Sequence, residues 1–121
     1  GTPTLVVHLG ADLLLRRIYA GAQWDHALVV LAPDGVPRQG SQPTDVAGPL
    51  CFSGDFIARG RHLAPARPGD LLLIRDTGAY TLSMWSRHCS RGLPPTIGVK
   101  RGDARLLHAG ERPEDVVDFW R

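Results

Sequence analysis

Fourteen glycines and ten prolines interrupt this 121-residue chain, spaced so that few windows can hold a long helix. The apolar segments between them are short. Many short strands with one or two small helices predict a mainly β fold, a Greek-key-like barrel or sandwich, formed as a single domain over residues 1–121. Thr4–Leu9 has the β-branched content of a strand, and Gly10 ends it. Asp12 is placed to cap a two-turn helix running to Tyr19, with Leu14, Leu15 and Ile18 on one side. His26–Ala32 reads as a buried strand stopped by the turn signal Pro33-Asp34-Gly35. Gln39–Pro43 reads as a loop, and Thr44–Leu50 as a further short strand.

In the second half, Pro68-Gly69-Asp70 launches Leu71–Ile74, whose continuous apolar run predicts a strand buried on both faces, and Gly78 interrupts the chain soon after it. Thr96–Arg101 and Ala104–His108 flank Gly102-Asp103 and predict a hairpin with a Gly-first turn. Pro113 stands at a first helical position with acids behind it. Pro113, Val116, Val117 and Trp120 then fall on one face of a short terminal helix.

Composition narrows the function classes. With 14 Lys+Arg against 12 Asp+Glu the net charge is +2, too small an excess to imply a nucleic-acid partner. The longest apolar runs, Leu13–Leu15, Ala27–Ala32 and Leu71–Ile74, fall far short of the ~18–20 residues of a membrane helix. Gly1-Thr2-Pro3 lacks the basic start and apolar core of a signal peptide. Two cysteines are too few for a secreted disulfide scaffold. Together these predict a cytoplasmic protein with no membrane partner.

Three local chemistries carry little weight. His8, His26, His62, His88, Cys51 and Cys89 contain no Cys-x-x-Cys or His-x-x-x-His pair, and His88-Cys89 in a strand would point to opposite faces, so no metal site is expected. A Gly-x-Ser-x-Gly nucleophile turn is absent. Trp85–Arg91 joins an aromatic to two arginines and has the residue types of an RNA contact, although a solvated loop with an anchoring Trp explains it better.

Three ordered motifs point elsewhere: Gly48-Pro49-Leu50-Cys51-Phe52-Ser53-Gly54-Asp55, then Pro68–Leu73, then Asp76–Met84 with its Gly78-Ala79-Tyr80. In this order and separation they resemble the C-terminal domain of the fold-type III pyridoxal-phosphate decarboxylases, the group of the diaminopimelate, ornithine and biosynthetic arginine enzymes. His8–Tyr19, Ser90-Arg91 and Arg101–Phe119 extend the resemblance over most of the chain. It implies an amino-acid decarboxylase whose N-terminal (β/α)8 barrel, carrying the Schiff-base lysine and most of the pyridoxal 5'-phosphate contacts, is not in this chain. The only lysine is Lys100, beside a hairpin turn, and no Gly-rich phosphate loop leads into a helix. The isolated chain is therefore expected to be inactive.

The resemblance also implies roles for individual residues. Cys51 is similar to the cysteine that reaches across a homodimer into the partner subunit's site and protonates Cα after CO2 leaves, which requires the protonated thiol. Tyr80 is similar to the tyrosine that hydrogen-bonds the cofactor phosphate, and Gly78 is expected to allow a backbone turn that a side chain would block. Asp55 closes the Cys motif and reads either as support for the site or the dimer contact, or as an exposed turn residue. Tyr19 is similar to a substrate-side tyrosine.

Two departures bear on the substrate. Phe52 stands where diaminopimelate and ornithine decarboxylases hold the distal ammonium with Glu or Asp, a contact worth about 2–5 kcal/mol when one partner is truncated. The substrate-binding Arg expected four residues before Tyr19 is Leu15, with Arg16 and Arg17 one and two residues later, turned by about 100° and 200° on a helix. Phe52, Tyr19 and Arg16 are thus the expected substrate-side residues, for a small amino-acid-derived substrate other than plain diaminopimelate. A catalytically inactive regulatory homologue, or a stand-alone β-domain binding RNA or protein, are the alternatives.

Overall fold

Seven strands and two short helices follow one another in the order β1 (Thr4–Val6), α1 (Leu15–Tyr19), β2 (Leu28–Leu31), β3 (Gln42–Ala47), β4 (Phe56–Leu63), β5 (Leu71–Ile74), β6 (Thr96–Lys100), β7 (Asp103–His108) and α2 (Pro113–Phe119). The structure is a computed structural model that describes all 121 residues. It is mainly sheet, as the Gly and Pro spacing predicts. The chain divides into two units, Gly1–Ser86 and Arg87–Arg121. No helix is long and apolar enough to cross a membrane.

In the first unit β3 is the centre of a three-stranded sheet, parallel to β1 and antiparallel to β4, while β2 and β5 form a separate antiparallel pair. Leu14, Val30, Val46, Ile57, Ala58 and Leu63 bury the core between these elements. The longest strand, β4, is the one that periodicity misses. Thr44 pairs with Arg61 and Val46 with Ala58, so β4 carries an extra residue there, and the Gly60 N–H is taken up by the Asp45 carboxylate at 2.7 Å. A bulge of this kind breaks the alternation of inward and outward side chains. Arg59-Gly60-Arg61-His62 consequently shows no apolar alternation although it is strand.

Several local expectations need correction. Leu71 and Leu73 are about half exposed, and only Leu72 and Ile74 pack on the core, so β5 is buried on one face and not on both. Helix α1 is a single turn starting at Leu15. Asp12 is not its cap, because the Asp12 carboxylate accepts the Gly10 N–H two residues back. Strand β3 begins at Gln42, inside the expected loop, and ends at Ala47. His88-Cys89 lies in a 3-10 turn over His88–Ser90, so the opposite-face argument against joint use of these residues does not apply.

The second unit is a hairpin followed by α2. Lys100 pairs with Asp103, which leaves Arg101 (φ 55°) and Gly102 (φ 88°) as the turn. Two positive φ values are the mirror-image type I turn rather than the Gly-first one. Helix α2 starts as expected, with Pro113 in its first turn and the Asp115 carboxylate accepting the Arg112 N–H at 2.8 Å. Its apolar face stays open, with Val117 and Trp120 at least half exposed. Arg87 forms a two-pronged pair with Glu111 (2.7 and 3.0 Å), and its guanidinium lies 4.4 Å from the Phe119 ring centroid. That pair, together with the Leu93 N–H, holds the Glu111 carboxyl below the usual carboxylate range.

What positions the loops of the first unit is Asp55. It is 3% exposed, and its two oxygens accept the N–H of Ala11 and of Leu50, each at 2.8 Å, while its own carbonyl accepts the Gly48 N–H. The exposed-turn reading of Asp55 is therefore wrong. A Cβ on Gly10 or Gly48 would sit 2.3 or 2.2 Å from these oxygens, which is why both positions are glycine. Leaving a buried N–H without an acceptor costs about 1–3 kcal/mol. Asp55→Ala should lower the unfolding free energy of the protein by roughly 2–4 kcal/mol, and Asp55→Asn, which keeps one acceptor, by about half as much. Urea denaturation checks this, and unchanged stability in Asp55→Ala would show that the carboxylate does not hold the loops.

Candidate functional site

The loop from Leu50 to Asp55 returns on itself through short backbone bonds. Phe52 N–H donates to Leu50 O at 2.9 Å, and Asp55 N–H to Phe52 O at 3.2 Å. With both ends tied to Asp55, the intervening residues face outward. Cys51 presents an exposed thiol, and Phe52 is 39% exposed with its ring lying against Gly54. Phe52 is not among the core residues.

The other expected residues meet around α1. Arg16 and Tyr19 are three apart on one helical face, and an Arg16 N–H donates to the Tyr19 hydroxyl at 3.0 Å. The Arg16 guanidinium lies 4.9 Å from the Tyr80 ring centroid, 5.2 Å from Trp24 and 5.5 Å from Tyr19. Trp24 and Tyr80 meet edge to face at 5.4 Å and 88°. Such contacts are worth about 0.5–2 kcal/mol for the cation and 0.5–1.5 for the ring pair. Arg16 Nε and Trp24 Nε1 are buried without a hydrogen-bond partner.

Tyr80 has φ 56° in an irregular segment, a backbone state that costs a bulky side chain on the order of 1–2 kcal/mol. Gly78 has open space where its Cβ would be, so the need for glycine there is not borne out. The unusual backbone lies at Asp76 and Tyr80 instead. Next to Trp24, Asp25 is clasped by Arg17 at 3.3 Å and by Arg61. Burial pushes the Asp25 carboxyl up, but the Arg61 hydrogen bond, the His26 backbone N–H and the two guanidinium charges outweigh it, and the net shift is downward.

Arg16, Tyr19 and Tyr80 thus form one cluster, and Cys51, Phe52 and Asp55 share one loop. Asp55 links the two, because it takes the Ala11 N–H at the head of the segment entering α1 as well as the Leu50 N–H beside Cys51. Trp24 was not singled out by the sequence. Its only signal is an aromatic five residues past Tyr19 in an otherwise small and polar stretch. Arg17 turns away to Asp25, so of the two arginines Arg16 is the one among the aromatic rings.

Comparison with known proteins identifies the relatives. Residues 2–78 match the family model described as the pyridoxal-dependent decarboxylase, C-terminal sheet domain. The diaminopimelate decarboxylase of Methanothermobacter thermautotrophicus is 37% identical over 111 residues, covering 92% of this chain and 25% of that protein. The Escherichia coli K12 diaminopimelate decarboxylase is 34% identical, covering 93% of this chain and 29% of its own length. A crystal structure of a diaminopimelate decarboxylase superposes with a TM-score of 0.86 at 34% identity, over 97% of this chain and 30% of that one. The Helicobacter pylori diaminopimelate decarboxylase complexed with L-lysine gives 0.84 at 29% identity, over 97% and 28%. The chain spans about a quarter of the length of the curated relatives it matches. Sheet content, loop motifs and these matches agree that the chain belongs to the pyridoxal-dependent decarboxylases, as their C-terminal sheet domain.

Proposed function

We propose that this chain supplies the substrate-side face of a cytoplasmic, homodimeric amino-acid decarboxylase whose pyridoxal 5'-phosphate is held mainly by an N-terminal (β/α)8 barrel. The observation that carries the reading is the loop on which Cys51 and Phe52 are displayed outward by the buried Asp55, in a chain of this family. A thiol that serves another subunit has to be exposed, and Cys51 is.

The donor set on this chain fits a phosphate. Tyr80 offers a half-exposed phenol beside the Arg16 guanidinium, whose buried Nε has no acceptor. Neutral and cationic donors together suit a dianion. When bound, the cofactor would supply an electron sink at Cα for the loss of CO2. Tyr80 would hold its phosphate, and Cys51 would donate its thiol proton to Cα. Asp55 holds the loop that carries the thiol. Tyr19, oriented by Arg16, lines the substrate side.

Phe52 sets the substrate class. An apolar ring next to Cys51 favours a neutral or apolar distal group, since burying an ammonium without a partner costs several kcal/mol. The named relatives are diaminopimelate decarboxylases, and on this reading the present enzyme takes an amino acid with a different far end. Family membership favours this enzyme reading over an RNA- or protein-binding module.

Three measurements on the full-length enzyme test the proposal. Cys51→Ala should slow turnover by about a hundredfold or more, or misplace the proton at Cα, while Cys89→Ala should not. Equal rates and unchanged product in Cys51→Ala would remove Cys51 from the chemistry. Mixing Cys51→Ala subunits with subunits lacking the barrel lysine should restore up to about one quarter of wild-type activity, because half of the randomly formed dimers then hold one intact site. No recovery despite subunit exchange would place both groups within one chain. Diaminopimelate and ornithine should be used at least about a hundredfold less efficiently in kcat/KM than the enzyme's own substrate, and Phe52→Glu should improve use of a diamino acid. Efficient turnover of diaminopimelate by the unmodified enzyme would sink the altered-substrate reading.

A further inference from the structure

We infer that Trp24 is a positioning residue for the cofactor phosphate: with Arg16 it restricts the Tyr80 ring, whose hydroxyl would serve that phosphate. The inference rests on the assignment of Tyr80 to the phosphate. Tyr80 itself has little local support. It lies in the irregular stretch between β5 and the 3-10 turn at Leu82–Met84, 47% exposed and with a positive φ. A phenol on such a segment would sample several rotamers, and each ordered rotor costs binding free energy.

Trp24 is anchored as Tyr80 is not. Its N–H donates to Ala20 O at 2.9 Å, tying it to the end of α1. Asp25, the next residue, is clasped by Arg17 and Arg61, and His26 beyond it is buried with Nδ1 3.0 Å from Arg75 O. The indole is therefore presented from a fixed backbone, and it meets Tyr80 edge to face. Arg16, fixed on α1 and bonded to Tyr19, lies over the same ring. With the indole and one cation against it, the phenol loses the freedom its backbone leaves open. The Trp24 Nε1, buried without an acceptor, marks a residue that pure stability would not favour at this place.

The experiment titrates apo full-length enzyme with pyridoxal 5'-phosphate and follows cofactor absorbance and protein fluorescence. Trp24→Leu should raise the cofactor Kd about three- to tenfold, the factor an edge-to-face pair is worth, and Trp24→Phe should stay within about twofold of wild type. Trp24→Met, unbranched and likewise without a ring, should match Trp24→Leu and carries the test if that variant fails to fold. In a Tyr80→Phe background, itself weaker in cofactor binding, Trp24→Leu should add nothing further. An equal additional loss in that background would show that Trp24 acts through general stability, and would overturn the inference. So would a Kd unaffected by Trp24→Leu while Tyr80→Phe weakens binding. If Tyr80→Phe leaves the Kd unchanged, the failure lies in the assignment of Tyr80 to the phosphate.

Discussion

One buried carboxylate organises the loops of the first unit. Asp55 satisfies backbone N–H groups from two segments 39 residues apart in sequence, Ala11 and Leu50, and closes its own loop through Gly48. A charge can be buried when donors surround it, and the strength of charge-assisted bonds fixes those donors in return. Both segments had to give up side chains to approach it, at Gly10 and Gly48. The display of Cys51 and Phe52 on one side, and the entry into α1 with Arg16 and Tyr19 on the other, are joined by this anchor.

Arginine does most of the remaining polar work, each time through its planar shape. Arg38 grips Asp70 with two bonds and, with the Arg67 N–H, keeps that carboxyl below the usual carboxylate range. Arg17 and Arg61 clasp Asp25, Arg87 pairs with Glu111 while covering Phe119, and Arg16 lies among three aromatic rings. A lysine ammonium, compact and strongly hydrated, fills none of these places as well.

The parts of the fold legible in the sequence are those built from local contacts. The turns at Pro33-Asp34-Gly35 and Pro68-Gly69-Asp70, strand β2, the β6–β7 hairpin and the Pro-initiated α2 all lie where turn chemistry and apolar runs put them. Strand β4 was illegible because its bulge destroys alternation, and the one-sided burial of β5 because a run of four apolar residues looks the same with one face covered or two. The hairpin turn slipped by one residue, since Arg101 adopts a positive φ that its side chain disfavours and that pairing across the strands imposes.

For the site, short motifs were enough to point to the family, because their order and spacing survive without any knowledge of contacts, and with the resemblance came Cys51, Phe52 and Tyr80 as the positions to watch. It took the folded packing to make Asp55 a buried anchor rather than an exposed turn residue, to bring Arg16 and not Arg17 to the tyrosines, and to add Trp24 to them. Several of these contacts join residues tens of positions apart. Whether a carboxylate is buried, or which ring a guanidinium covers, depends on the packing of whole strands and loops against one another, and no local pattern encodes that.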